Sequence, residues 1–244
     1  MNLSYSKDYI VTYSYIDNRG ISRPSAIVDF MQDAATVHEK NLSILKGSGF
    51  WVLSKLKYSL KRPLLPYETV TVKTWCGAIK GAIWYRNFSF SVNDEFLGTG
   101  VTAWVILDEK THKIMRPTSI AGYESLLPED NIVTERLDKI EKHDSNYTES
   151  HIVSYSDIDI NNHLNNVKIV DIIGNAVNLH EYKKEFISEL QVNYLGESKV
   201  SDKLSIDVTK KDKELYIYAK KAKKEEKKEE EEKRFEAKAL LSEI

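Results

Sequence analysis

The strongest constraint on what this chain can fold into is that it contains itself twice. Tyr13, Ser14, Ile16, Asp17, Ile27, Val28, Asp29 and Ala34 recur as Tyr155, Ser156, Ile158, Asp159, Ile169, Val170, Asp171 and Ala176, at a constant offset of 142 positions without a gap. An internal repeat decides the whole architecture, because each copy must build the same supersecondary unit. In both copies the residues after the shared aspartate read as a loop and then an amphipathic helix. In the first, Ser22 is the expected N-cap with Pro24 just inside, and Ile27, Met31, Ala34 and Ala35 fall on one face. The second helix is expected to start near Asn165 or Asn166 and to stack Ile169, Ile173, Ala176 and Val177.

The first helix is followed by runs rich in Val, Thr, Tyr and Trp, separated by turn signals such as Arg62-Pro63 and Asn93-Asp94, and the second by strand-like runs in the same order. They cover residues 51–60, 68–75, 83–92 and 98–107 in the first half, and 188–194, 203–208, 215–219 and 234–241 in the second. The order helix, then antiparallel strands, predicts an α+β unit made twice: a curled sheet wrapped around one long, mostly apolar helix. Residues 122–150 are polar and read as a surface connection with a short helical pattern at 135–142, which places the division into halves 1–144 and 145–244. The Lys and Glu run at 220–234 reads as a solvated hairpin loop or short charged helix, without a function of its own.

Length and charge exclude several classes. A chain of 244 residues can bury a sizeable core, and 35 basic against 37 acidic residues leave no overall field to hold a polyanion. With no arginine-rich stripe and no metal-spaced cysteines, nucleic acid is not an expected partner, and no metal or other cofactor is read. The one cysteine, Cys76, cannot form an internal disulfide, which fits a reducing compartment. Residues 1–12 mix Ser4, Lys7 and Asp8 among apolar side chains, unlike a signal peptide, and apolar stretches such as 103–107 fall far short of the ~18 residues of a membrane span. A soluble cytoplasmic protein is expected.

The copies diverge where loop meets helix. The first reads Asp17-Asn18-Arg19-Gly20-Ile21-Ser22, whereas the second collects Asp159, Asn161 and His163 at alternate positions, followed by Asn165 and Asn166. In an extended segment alternate side chains project from one side. The loop feeds a helix start whose unpaired N–H groups and dipole suit a developing oxyanion, and an imidazole exchanges protons near neutrality. Asn and Asp also serve turns and caps by bonding nearby backbone, so spacing alone leaves catalysis and capping both open. The first copy builds the same turn without the polar set, so the turn itself does not require it.

The stretch Asp157-Ile158-Asp159-Ile160-Asn161-Asn162-His163-Leu164-Asn165-Asn166 resembles the Asp-Leu-Asp-x-Asn-x-His-x-Asn-Asn loop of the acyl-acyl-carrier-protein thioesterases of plants and bacteria, which are tandem double-hotdog proteins. The segment 25–35 resembles that family's first helix, and Thr74-Trp75, Arg86-Asn87-Phe88, Trp104 to Asp108 and Arg116-Pro117 resemble its following strands and turn. The resemblance implies hydrolysis of a fatty acyl-carrier-protein thioester to free fatty acid. The implied catalytic set is Asp159, Asn161, His163 and a glutamate after the second helix, which alignment of 190–204 places at Glu197. The halves support this register, since Leu56, Pro63 and Val70 pair with Leu190, Glu197 and Leu204 at an offset of 134. Plant members carry a cysteine directly after that glutamate; here the position is Ser198, so no thiol mechanism carries over.

The implied partner is an acidic acyl carrier protein bearing the acyl group, with room left for a homodimer, and the implied acyl tunnel runs along residues 27–37 and the strands from Trp51 and Trp84. An acyl-CoA thioesterase, a dehydratase on the same fold and a non-catalytic acyl-ligand sensor stand as alternatives.

Overall fold

The computed structural model describes residues 4–42, 45, 49–120, 123–126, 133, 135–222 and 231–244. Among these the chain forms β1 (Ser4–Ile10), α1 (Pro24–Leu42), β2 (Gly49–Leu60), β3 (Thr69–Lys80), β4 (Ile83–Val92), β5 (Glu95–Asp108), β6 (Tyr147–Ile152), α2 (Asn166–Ala176), β7 (Glu185–Tyr194), β8 (Lys203–Lys211), β9 (Glu214–Lys221) and β10 (Lys233–Glu243). The strands join in one sheet in the order β1-β3-β4-β5-β2-β7-β10-β9-β8-β6. Every pairing is antiparallel. The two halves meet where β2 pairs with β7, from Lys55 opposite Asn193 to Ser59 opposite Glu189.

Alternation along the central strands turns Leu56, Tyr58, Leu190 and Val192 toward the helices, all at most 1% exposed. α1 buries Ala26, Ile27, Phe30, Met31 and Ala34, and α2 buries Ile169, Val170, Ile172, Ile173 and Ala176. Both sets repeat at three- and four-residue intervals, as a helix with one apolar face must. They share a single core with both halves of the sheet. The helix layer comes close to the sheet at Gly100, where a Cβ would lie 2.8 Å from Met31 Cε and 3.2 Å from the Lys57 carbonyl oxygen.

The two offsets of the repeat have a structural cause. α1 is 19 residues long and α2 is 11. That eight-residue difference equals the step from 142 before the helices to 134 after them. Ala34 and Ala176 are counterparts, so the last two turns of α1, residues 35–42, have no equivalent in the second half.

All eight strands expected after the helices form, β3 running five residues beyond its expected end, to Lys80. The strands preceding each helix, β1 and β6, are additional. They occupy the two edges of the sheet, where short, polar, half-exposed segments give little alternation to detect.

Two expectations are corrected. Ser22 is not the cap of α1: it lies two residues before the first helical residue, and its Oγ accepts the Leu64 N–H at 3.1 Å. Residues 135–142 are not helical. They run extended over the β2–β7 seam, with Glu135 paired to Lys57 at 3.3 Å, and the Gln191 amide bonding the Asp138 N–H at 3.2 Å and its carbonyl at 2.7 Å. A helix of two turns is marginal alone, and bonding to the buried Gln191 amide outcompetes it. Of the charged run at 220–234, residues 223–230 lie outside the described residues.

Candidate active site

The two loop-to-helix junctions are built on the same backbone bonds. Asp17 N–H donates to Ile21 O at 2.9 Å, and Asp159 N–H to His163 O at 2.8 Å. Gly20 and Asn162 N–H donate to the carbonyls of those aspartates, with φ of 81° and 60°, a left-handed turn that glycine and asparagine tolerate. Ser22 and Leu164 N–H then reach across to the carbonyls of Leu64 and Ser198, at 2.9 and 2.8 Å. This last bond ties each loop to the connection that follows the first strand after its helix. It brings residue 197 beside residue 163, 34 positions away in the chain.

On that common frame the side chains differ. In the first half Ile21 is buried and Asp17 binds Arg19, through the backbone N–H and Nε at 2.8 Å and through Nη2 at 2.6 Å. In the second half His163 Nε2 stands 3.1 Å from Glu197 Oε2, with side chains 30% and 69% exposed. Asp159 accepts the N–H groups of Asn161 at 2.8 Å and His163 at 3.2 Å, both through Oδ1. Its carboxylate therefore holds the loop, as Asp17 does in the first half, and Glu197 is the carboxylate that meets the imidazole. The structure thus joins Asp159, His163 and Glu197. Asn161 is exposed and is attached through its backbone, with no side-chain hydrogen bond to the other three.

The neighbouring motif residues have structural work. Asn165 caps α2 by accepting the Val167 N–H at 2.7 Å, as expected of that position, and Ile169 N–H takes the Asn165 carbonyl. Among the described residues this leaves the N–H groups of Asn166 and Lys168 without an acceptor at the positive end of the helix. Asp157 binds His151 Nε2 at 3.0 Å and the Ser154 N–H at 2.8 Å, closing the turn that precedes the loop. Ser198 is 2% exposed and occupies the position of Leu64, a core residue; its Oγ is buried with no partner, which leaves it neither access nor a base. Cys76 sits in the other half, and burial pushes its thiol above the ordinary range. Neither group has the surroundings of a nucleophile.

The first half holds an apolar cavity of about 150 Å³ lined by Ala35, Thr36, Glu39, Trp51, Cys76, Gly77, Ile79, Trp84, Tyr85, Arg86 and Trp104. Its helical wall is the two turns of α1 that α2 lacks. One turn earlier, Gln32 Oε1 accepts from Asn166 Nδ2 at 3.2 Å, so the wall begins beside the start of α2. Internal symmetry gives the same placement. An offset of 134 carries Trp51 and Cys76 onto Glu185 and Lys210, which line an open groove together with Arg19 and Ile21, the counterparts of Asn161 and His163. Among the described residues no group of three potential metal ligands comes together.

Residues 2–119 match the family model for the acyl-ACP thioesterase N-terminal domain, and residues 140–239 that for the C-terminal domain. The chain belongs to the acyl-ACP thioesterase family. Among curated relatives, the chloroplastic dodecanoyl-[acyl-carrier-protein] hydrolase of Cinnamomum camphora is 26% identical over 195 residues, covering 70% of this chain and 50% of that protein. The chain spans about half the length of the curated relatives it matches. In three dimensions it resembles an acyl-ACP thioesterase of Bacteroides thetaiotaomicron, with TM-score 0.82, 20% identity, and 99% and 98% of the two chains covered. It also resembles the 12:0-ACP thioesterase of Umbellularia californica, with TM-score 0.81, 18% identity and coverage of 100% and 99%. These similarities establish for this acyl-ACP thioesterase homologue the tandem double-hotdog fold. Among its described residues no helix is long and apolar enough to cross a membrane.

Proposed function

We propose that this protein hydrolyses fatty acyl thioesters of an acyl carrier protein in the cytoplasm, releasing free fatty acid and ending chain growth. In this reading the second half, from residue 145, performs the chemistry and the first half, 1–144, holds the acyl chain. The observation that carries the reading is the His163–Glu197 pair, 3.1 Å apart beside the start of α2, on two connections whose twins in the first half have Ile21 and Pro63 instead. Glu197 and His163 activate water as general base and proton carrier, and the water attacks the thioester carbonyl. Negative charge gathers on the carbonyl oxygen, for which the Asn166 and Lys168 N–H groups are the donors. As the tetrahedral intermediate collapses, the C–S bond breaks and His163 returns the proton to the leaving thiolate. Asn161 orients the water or the carboxylate, and Asp159 holds the loop that sets the imidazole in place.

Positioned acid–base catalysis contributes about 10²–10⁴-fold, so His163→Ala and Glu197→Gln are each expected to lose that much kcat on acyl-carrier-protein substrates while remaining folded. Wild-type rates in both variants would overturn the assignment. A single turnover in oxygen-18 water separates water attack from direct attack by Glu197, because only the latter leaves label in the Glu197 carboxylate. Matched acyl-CoA and acyl-carrier substrates compare the two carriers.

A further inference from the structure

The cavity in the first half is mostly apolar, but its wall also carries polar groups that an alkyl chain does not need, Arg86 first among them. Arg86 is 9% exposed, lines the cavity, and makes its hydrogen bonds from Nη1 alone, to His38 Nδ1 at 2.7 Å and Thr74 Oγ1 at 3.3 Å. Among the described residues its Nη2 and Nε make no hydrogen bond, and Glu39 on the same cavity wall is a carboxylate whose charge acts on it. The indoles that share the cavity wall reinforce the pattern. Trp104 Nε1 donates to Thr102 Oγ1 at 2.7 Å, whereas the Nε1 groups of Trp51 and Trp84 are buried without an acceptor. Buried donors are normally satisfied, and each one left unmade is costly.

We infer that this cavity accepts an acyl chain carrying a hydroxyl group remote from the thioester, with Arg86 donating to the hydroxyl oxygen. A plain alkyl chain would fill the apolar wall but leave the guanidinium desolvated and unanswered, whereas an oxygen acceptor answers it. Glu39, on the same wall, selects the kind of oxygen. Its charge opposes a terminal carboxylate but accepts the proton of a hydroxyl, so one hydroxyl can take a bond from Arg86 and give one to Glu39. The position along the chain follows from α1. Arg86 is anchored at His38, six residues beyond Gln32, where α1 meets the start of α2. At 1.5 Å per residue this is about 9 Å deeper, the reach of a medium-length alkyl segment rather than of the carbons next to the carbonyl.

This inference rests on the thioesterase reading for the orientation of the chain, and its test separates the two. The full-length protein is given ω-hydroxyacyl and unsubstituted acyl chains of matched, increasing length, as carrier-protein thioesters for turnover and as free acids for calorimetric binding. At one chain length the hydroxylated member is expected to exceed its plain partner about tenfold or more in kcat/KM and in affinity. Arg86→Met, of similar length but without donors, is expected to reverse that ratio. Arg86→Lys, which keeps a donor, is expected to retain part of the preference if the methionine variant fails to fold. Equal or better use of the plain chain at every length by the wild-type protein overturns the inference while leaving the thioesterase intact. Binding without turnover of either series overturns the thioesterase reading, and the affinity ratio then still decides whether the cavity prefers the hydroxyl.

Discussion

Asp159 offers the sharpest test of how this site works, because its twin Asp17 does the same structural task in a loop that lacks the polar set. Its Oδ1 accepts the N–H groups of Asn161 and His163 at 2.8 and 3.2 Å, just as Asp17 Oδ1 accepts the Arg19 N–H at 2.8 Å. Hydrogen bonds to a charged acceptor are worth about 1.5–3 kcal/mol each, against about 0.5–1.5 for neutral ones. Asp159→Ala removes two of the charged kind. Taking the lower figure, the loop conformation that presents His163 loses about 3 kcal/mol relative to its alternatives, or somewhat over a hundredfold in population at 1.36 kcal/mol per decade. Asp159→Asn keeps an oxygen on the same two N–H groups and gives up only the charge, about 1 kcal/mol per bond on the same figures. The expected order is therefore a fall in kcat/KM of about 10²-fold for alanine and, with about 2 kcal/mol lost over the two bonds, of about 30-fold for asparagine, measured by thiol release from an acyl-carrier substrate with folding checked by circular dichroism. The pH profile of the asparagine variant should keep its shape, since in the proposed reaction the proton passes through Glu197 and His163 and not through Asp159. An asparagine variant as inactive as His163→Ala, or one with a displaced pH profile, would refute a positioning role and put the carboxylate's charge in the chemistry.

Ser198→Ala removes a buried hydroxyl that has no partner, so stability should hold or rise and turnover should stay within about twofold; a large loss of kcat would show that the hydroxyl acts. Gly100→Ala drives a Cβ to 2.8 Å from Met31 Cε, and overpacking of this kind costs about 1–3 kcal/mol, read as a lower midpoint in urea; an unchanged midpoint would show that α1 yields. Burial works to raise the Asp33 carboxyl, but hydrogen bonds from Lys7 and Tyr9 outweigh it and hold the group below the usual carboxylate range. Its contribution to stability is therefore present above the unfolded value near pH ~4 and is lost as pH falls through the lower folded value. Asp33→Asn should flatten the acid limb of the stability curve, modestly because the side chain is 45% exposed; an unchanged limb would remove Asp33 from the acid response.

Much of this molecule is visible in one dimension because its signals are local. The repeat, the apolar faces of α1 and α2, the Asn165 cap and the strands after each helix follow from periodicity and turn chemistry within a dozen residues. The edge strands β1 and β6 escape such reading because an edge strand needs no apolar alternation, and it forms when its neighbour supplies the other half of the ladder. Residues 135–142 show the converse: a helical pattern gives way once the Gln191 amide, 53 positions away from Asp138, offers better bonds. The pattern Asp159, Asn161, His163 marks the candidate site in the sequence, and the resemblance adds Glu197 to it. The division of labour among these four belongs to the fold, since it depends on which carboxylate faces backbone and which faces imidazole.

Local pattern alone yields a duplicated α+β chain whose second copy carries the polar loop. Folding is what sets Asp159 to hold the loop while Glu197 meets His163, and what makes the eight extra residues of α1 the wall of a cavity containing Arg86. The difference is one of distance along the chain. A hydrogen bond or a cavity wall joins residues tens of positions apart, and their meeting is set by sheet order and by helix length rather than by any pattern within a single segment.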